Sequence, residues 1–164
     1  TGAFMAGMRY AKRKDYDYVI QFDADGQHLP DYISEMVSKA QEGTNIVIGS
    51  RFATEKRKIN SLRMFGNAMI SLAIKITTGK TLKDPTSGMR LFDKKALNFY
   101  VERESSTPEA DTVSFMMKKG FVIQEVQVEM QERVAGESYL TFTKSIQFMA
   151  ARLFAILILQ PFRK

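Results

Sequence analysis

Two carboxylates, one residue apart, are the strongest candidates for chemistry in the sequence. Asp23 and Asp25 follow an apolar run, 18–22, that is typical of a buried strand. In an open α/β sheet, ligands bind outside the carboxyl ends of the strands. Mg²⁺ and Mn²⁺ prefer carboxylate oxygens that they share with substrate phosphates. Because Asp-Gly is also common in turns, the pair alone leaves open both a metal site and an ordinary strand-to-turn junction.

A guanidinium is predicted to lie at the same edge of the sheet as this pair. Arg51 follows a second apolar run, 45–49, that also has the character of a buried strand. A guanidinium is a planar fork of donors that suits phosphate oxygens. An ordinary ion pair is the alternative role for such an arginine.

Ten predicted elements position these residues. Apolar periodicity, prolines at helix starts and glycines at helix ends predict helices over 3–14, 30–43, 61–78, 94–101, 109–119 and 142–159. Short apolar or alternating runs predict strands over 18–22, 45–49, 89–92 and 121–131. The order strand, helix, strand near the start predicts a βαβ unit in a parallel sheet, and therefore an α/β fold.

Composition narrows the classes of function. The 164 residues are 45% hydrophobic, which is enough for the core of one domain. The absence of cysteine excludes disulfides and thiolate chemistry, and the single histidine excludes a His-rich zinc site. The net charge of +6 suits anionic partners such as nucleoside diphosphates or an anionic membrane. Since no nucleic-acid-binding motif is present, we expect no nucleic-acid partner.

Several motifs in order resemble one enzyme family. They are Asp23-Ala24-Asp25-Gly26-Gln27-His28-Leu29-Pro30, Gly49-Ser50-Arg51, the segment 84–92 (Asp-Pro-Thr-Ser-Gly-Met-Arg-Leu-Phe), Pro108-Glu109-Ala110-Asp111, Lys119-Gly120-Phe121, Glu125-Val126-Gln127-Val128, Glu132-Arg133 and Gly136-Glu137-Ser138. Together they resemble the inverting nucleotide-sugar glycosyltransferases of the GT-A fold. The most similar subgroup includes dolichol-phosphate mannosyltransferase and bacterial cell-envelope polysaccharide transferases.

The resemblance implies a role for each motif. It implies transfer of a sugar, with inversion, from a nucleotide-sugar donor to a lipid-linked or glycan acceptor, with Mg²⁺ or Mn²⁺ as cofactor. The implied metal residues are Asp23, Asp25 and Gln27; the implied donor-phosphate residues are Arg51, Arg133 and Ser138; the implied acceptor-side residues are Asp84, Ser87 and Arg90.

The resemblance offers two candidates for the general base. Transfer to a hydroxyl needs a base, and the family's acidic motif corresponds to Glu109 and Asp111. In this chain Ala110 separates the two acids, whereas many relatives have adjacent ones. We favour Asp111, which lies further into the helix, while Glu109 is the alternative. A lipid phosphate acceptor is already anionic and would need no base.

The resemblance also implies a division of the chain. Residues 1–141 resemble the C-terminal two-thirds of a GT-A domain without its first strands, and 142–164 form an apolar tail helix with a basic end. The apolar run of this tail is shorter than the about 20 residues that span a bilayer. We therefore expect it to contact a membrane peripherally or to pack against a partner; docking on the domain's own sheet is the alternative.

Further expectations concern the location of the protein, its behaviour when isolated and its alternative functions. The protein is expected in the cytoplasm, at the inner face of the membrane. Residues 1–164 alone are expected to self-associate and to show no sugar transfer, because the strands and the nucleoside-binding loop that relatives place before them are absent. A sugar-phosphate nucleotidyltransferase and a non-catalytic membrane or scaffold module of the same fold are the alternative functions.

Overall fold

The computed structural model describes residues 2–23, 26–54, 61–103, 107–131 and 142–162. This part of the chain contains four strands and six α-helices. In order they are α1 (Gly2–Arg13), β1 (Tyr18–Gln21), α2 (Ile33–Gln41), β2 (Ile46–Ser50), α3 (Leu62–Thr78), β3 (Arg90–Asp93), α4 (Lys94–Glu102), α5 (Ala110–Lys118), β4 (Ile123–Gln127) and α6 (Phe142–Phe154). The α/β fold class predicted from the sequence is confirmed.

The sheet is mixed, which corrects the prediction of a parallel sheet. Its strand order is β1-β3-β2-β4. β3 pairs antiparallel with both β1 and β2, and β2 pairs parallel with β4. The two strands of the predicted βαβ unit, β1 and β2, run in the same direction, but β3 is inserted between them. A short buried strand has the same residue pattern in either direction, so its sequence does not reveal this insertion.

Helices cover the two faces of the sheet unequally. Side chains of β2 alternate between the faces, with Ile46 and Ile48 on one side and Val47 on the other. The Ile46 side packs against α1, α3, α4 and α5, while the Val47 side packs against Met36 and Ala40 of α2. Of the two central strands, β2 is buried along its whole length and β3 is buried except at Asp93, which is partly exposed.

Local signals in the sequence fix the ends of several helices. Ser61 caps the start of α3 by accepting a hydrogen bond from the backbone N–H of Met64, and Asp93 caps α4 in the same way from Ala96. Gly79 ends α3 with φ of 71°, a conformation that favours glycine. The predicted helices agree with the structure to within a few residues.

Two predicted elements near the C-terminus differ from the structure. The strand predicted over 121–131 is regular only from Ile123 to Gln127, after which Met130 forms a single antiparallel bridge with His28. The predicted continuous tail helix is α-helical to Phe154, forms a π-helical turn at Ala155–Leu159 and ends in a 3-10 turn at Gln160–Phe162. Among the described residues, no helix is long and apolar enough to span a membrane.

Candidate functional site

The acidic turn after β1 opens onto a pocket of about 270 Å³. Asp23 is exposed and lines this pocket together with Gln27. The backbone carbonyl of Gln27 accepts a hydrogen bond of 2.9 Å from the N–H of Gln131, which ties the turn to the segment after β4. Asp25 lies outside the described residues, and among those described no three His, Cys, Asp or Glu side chains form a group that could hold a metal.

Arg51 lines the same pocket but is held from behind by a buried carboxylate. Its guanidinium donates to Asp84 from Nε at 2.7 Å and from Nη2 at 2.8 Å, as a bidentate fork. The Asp84 side chain is fully buried and also accepts from the amide of Asn67 at 3.0 Å. The hydrogen bond to Asp84 raises the pKa of Arg51 above its ordinary value despite partial burial, so the guanidinium stays charged.

Arg90 is a buried cation that joins two loops at the pocket. Its guanidinium donates to the backbone carbonyls of Ser87, Pro85 and Pro108. Burial lowers the pKa of Arg90, while Tyr100, Glu109, Asp84 and Asp23 oppose this shift electrostatically. Arg90 therefore fixes the 84–88 loop against the segment that leads into α5.

Two polar side chains of β4 hold the loops that carry Arg51 and Asp84. Glu125 accepts hydrogen bonds from the backbone N–H groups of Lys83 at 2.7 Å and Asp84 at 2.6 Å. Gln127 donates to the carbonyl of Arg51 at 3.0 Å, and its amide oxygen accepts from the backbone N–H of Thr54 at 2.9 Å. These two residues were part of a motif in the sequence, but their role as supports was not predicted.

The two acids at the start of α5 have different surroundings. Glu109 is the residue immediately before the helix, and it lines the pocket. Asp111, one residue into the helix, accepts a hydrogen bond of 2.6 Å from Nη1 of Arg152 on α6. Asp111 does not belong to the described lining of the pocket. Of the two candidate bases, Glu109 is therefore the one that borders the pocket.

The tail supplies an apolar wall for the pocket. Phe148 and Met149 of α6 line it beside Ile70 of α3. The two helices cross closely at Gly66, where a Cβ would lie 1.6 Å from the sulfur of Met149. Beyond α6, the fully buried Ile156 joins the main core. The tail packs mainly against α3 and α5 rather than on the sheet, which was the surface expected for a docked tail.

The structure brings most of the predicted site residues to one pocket. Six of them line it: Asp23, Gln27, Arg51, Ser87, Arg90 and Glu109. Asp84 lies behind Arg51, and Asp111 pairs with Arg152. Arg133 and Ser138, like Asp25, lie outside the described residues. The sequence did not reveal the supporting roles of Glu125 and Gln127. It also did not reveal Asn67, which donates to Asp84 and stands out only as an amide on the mainly apolar face of a predicted helix.

Three curated proteins from different organisms are similar in sequence to this chain. A relative from Micrococcus luteus, an undecaprenyl-phosphate mannosyltransferase, is 30% identical over 85% of this chain and 60% of its own length. A UDP-N-acetylglucosamine–dolichyl-phosphate N-acetylglucosaminyltransferase of Methanococcus voltae is 32% identical over 62% of this chain and 42% of its own. A polyprenol monophosphomannose synthase of Mycolicibacterium smegmatis is 24% identical over 85% of this chain and 55% of its own.

These relatives are longer than the sequence described here. The chain spans about half the length of the curated relatives that it matches. The model of the family described as glycosyl transferase family 2 matches residues 1–100, which is more than half of the chain and includes β1, the acidic turn, Arg51 and the 84–92 segment. The chain belongs to glycosyl transferase family 2.

Proposed function

We propose that the protein transfers a sugar, with inversion, from a nucleotide-sugar donor to a polyprenyl-phosphate acceptor. The observation that carries the proposal is a single pocket that combines an exposed carboxylate, Asp23, with the guanidiniums Arg51 and Arg90 and an apolar wall from the tail. A nucleoside diphosphate and a lipid phosphate are both anionic, and a lipid also has an apolar chain. The names of the relatives, which act on undecaprenyl, dolichyl or polyprenol phosphates, favour a lipid over a glycan acceptor.

A divalent cation, Mg²⁺ or Mn²⁺, is part of this proposal. The residues present fit such an ion, because Asp23 and Gln27 offer hard oxygen atoms at one pocket. Asp23, Asp25 and Gln27 would hold it. When bound, the ion neutralises charge on the diphosphate leaving group. Two carboxylates are few ligands for an independent site, so we expect weak binding without nucleotide.

We assign the cationic side chains to the phosphate groups of the two substrates. Arg51, Arg133 and Ser138 are proposed to bind the donor diphosphate. The fork to Asp84 uses one edge of the Arg51 guanidinium, and Nη1 remains to donate towards a phosphate oxygen. Arg90, Ser87 and Asp84 are proposed to form the acceptor side. The hydrogen-bond partners of the Arg90 guanidinium are backbone carbonyls. Because carbonyls carry no formal charge, they do not neutralise its positive charge.

A lipid phosphate acceptor changes what the acids of α5 have to do. The oxygen of an ionised phosphate attacks without losing a proton, so no general base is needed. The Asp111–Arg152 pair then anchors the tail to α5, which is consistent with its 2.6 Å separation. If the acceptor were a hydroxyl, Glu109 would be favoured over Asp111 as the base, because Glu109 lies in the pocket wall.

Peripheral membrane contact through 142–164 is also proposed, and α3 extends the surface. The outer side of the tail exposes Phe154 at 54% and Phe162 at 84% of their areas. α3, against which the tail packs, exposes an apolar stripe at helical spacing: Phe65, Met69, Leu72 and Ile76. Exposed apolar stripes on adjacent helices mark an interaction surface, and a lipid substrate makes a membrane the natural partner. Such contact would hold the protein at the inner, cytoplasmic face of the membrane.

We further propose that residues 1–164, taken alone, self-associate and do not transfer sugar. β1 is the edge strand of the described sheet, and a second, mainly apolar pocket of about 340 Å³ lies between it and α1. An unpaired edge beside apolar surface favours pairing with another chain. Light scattering measures whether residues 1–164 self-associate, and an assay of donor turnover with Mn²⁺ measures their activity. A stable monomer that turns over a nucleotide sugar would contradict this proposal.

The activity itself is tested on the whole protein. Isothermal titration with Mn²⁺ and a panel of nucleotide sugars identifies the donor, and transfer of labelled sugar to a polyprenyl phosphate in detergent identifies the acceptor. Asp25→Asn should abolish transfer and leave the melting temperature unchanged. Binding of a nucleotide sugar without any turnover would favour the non-catalytic module, and release of diphosphate from a sugar phosphate and a nucleoside triphosphate would favour a nucleotidyltransferase.

A further inference from the structure

Gly88 lies against the carboxylate of Asp23. A Cβ at position 88 would be 2.1 Å from Oδ2 of Asp23 and 3.0 Å from its Cγ, which is closer than real contacts allow. The antiparallel pairing of β1 with β3 explains this contact, because Gln21 lies opposite Arg90. The same register, continued by two residues, brings Asp23 opposite Gly88. The Asp23 carboxylate therefore occupies the volume that any other side chain at position 88 would need.

The backbone at Gly88 is fixed on both sides. The hydroxyl of Ser87 donates to the carbonyl of Gly49 at 2.5 Å, and the carbonyl of Met89 accepts from the N–H of Gly49 at 2.9 Å. Gly49 is itself closely packed, because a Cβ there would lie 3.1 Å from Val128. The segment around Gly88 therefore cannot move away from Asp23, whereas the exposed Asp23 side chain is able to rotate.

Backbone conformation does not require glycine at this position. Gly26, Gly43, Gly79 and Gly120 have positive φ, and Gly88 is not among the glycines with that conformation. Alanine is therefore compatible with the backbone at position 88, so that a substitution there changes the space beside Asp23 and little else.

We propose that Gly88 is a positioning residue for the divalent cation, because its missing side chain leaves the space in which the Asp23 carboxylate faces the pocket. This inference rests on the proposed metal-dependent function. A side chain at position 88 turns the carboxylate out of its place and weakens cation binding without touching the ion. Residues that orient a metal ligand typically change affinity by about 10- to 100-fold when they are replaced.

The test measures Mn²⁺ binding to the whole protein by electron paramagnetic resonance, first with Mn²⁺ alone and then with excess UDP or GDP. Gly88→Ala should weaken binding by about tenfold or more. In an Asp23→Asn background the same substitution should cause no further loss. Gly2→Ala is the matched control, since a Cβ there meets nothing within 4 Å and Gly2, at the start of α1, lines neither pocket.

Thermal unfolding provides a second readout that does not depend on the metal. Gly88→Ala should lower the melting temperature, and Asp23→Ala in that background should raise it again because the overlapping carboxylate is gone. The proposal is overturned by unchanged Mn²⁺ affinity in Gly88→Ala, by a loss that adds to that of Asp23→Asn, or by the absence of rescue. If Asp23→Asn itself leaves Mn²⁺ binding unchanged, the metal site of the proposed function fails and this role for Gly88 fails with it.

Discussion

The buried carboxylate of Asp84 should be essential to how the site is held together. It accepts two hydrogen bonds from the Arg51 guanidinium, at 2.7 and 2.8 Å, one from the Arg51 backbone N–H at 3.2 Å and one from Asn67 at 3.0 Å. Asp84→Asn keeps the size of the side chain and removes its charge. The amide presents an N–H₂ group where one of the accepting oxygens lay, so Arg51 is left partly buried without its counter-ion.

The expected cost follows from the burial of the two partners. Breaking a fully buried ion pair by removing one partner costs about 3–5 kcal/mol. The Asp84 side chain is completely buried, but that of Arg51 is 26% exposed and keeps some contact with water. Solvent screening on the Arg51 side reduces the estimate, and we expect Asp84→Asn to lower the free energy of unfolding by about 2–4 kcal/mol.

Urea unfolding followed by circular dichroism measures this loss. The matched control is Glu42→Gln, which removes the charge of the exposed pair that Glu42 forms with Lys39, at 2.8 Å. A surface pair of this kind contributes about 0.5 kcal/mol or less. If Asp84→Asn costs no more than the control, the fork does not hold Arg51. Its guanidinium would then be an exposed group whose main role is to bind phosphate, and the support assigned here to Asp84 would be wrong.

Three more outcomes are expected. Glu109→Gln should lower kcat by less than about tenfold with a polyprenyl phosphate acceptor, whereas loss of a general base costs about 10²–10⁴-fold; a loss above a hundredfold would make Glu109 the base. Gly66→Ala should lower the free energy of unfolding by about 1–3 kcal/mol through overpacking, and Met149→Ala in that background should recover part of it in urea melts. Phe154→Gln should reduce flotation with anionic liposomes, while Val122→Gln, an exposed position that belongs to neither α3 nor the tail, should not; equal flotation of both variants would count against membrane contact.

The elements were predictable because their signals are local. Helix α3 carries its own beginning and end in Ser61 and Gly79, and the sequence placed both within one residue of the structure. Strand β2 could be predicted because all five of its residues are buried and it begins with the apolar run Ile46-Val47-Ile48. The direction of β3 could not, since its pairing with β1 and β2 is decided by the course of the 79–89 segment across the end of the sheet.

Most of the predicted site residues are polar or charged side chains that line the pocket. Asp23, Arg51 and Glu109 are charged residues at the ends of predicted strands or helices, and all three line the pocket. Glu125 and Gln127 act instead on backbone N–H and carbonyl groups of distant loops. In the sequence these two residues are simply the polar positions of an alternating strand, and no pattern distinguishes such a support from a solvated face.

The residues of the pocket wall match both of the proposed substrates, the nucleotide-sugar donor and the lipid phosphate acceptor. Asp23 and Arg51 come from the ends of the strands, which is where a metal-bound diphosphate would be held. Phe148 and Met149 come from the tail, whose other side exposes apolar residues such as Phe154. An acceptor with a phosphate head and a hydrocarbon chain matches this arrangement, because one helix then contacts the chain and the membrane that contains it. A water-soluble glycan would leave that apolar wall without a partner, which is the physical reason to test polyprenyl phosphates first.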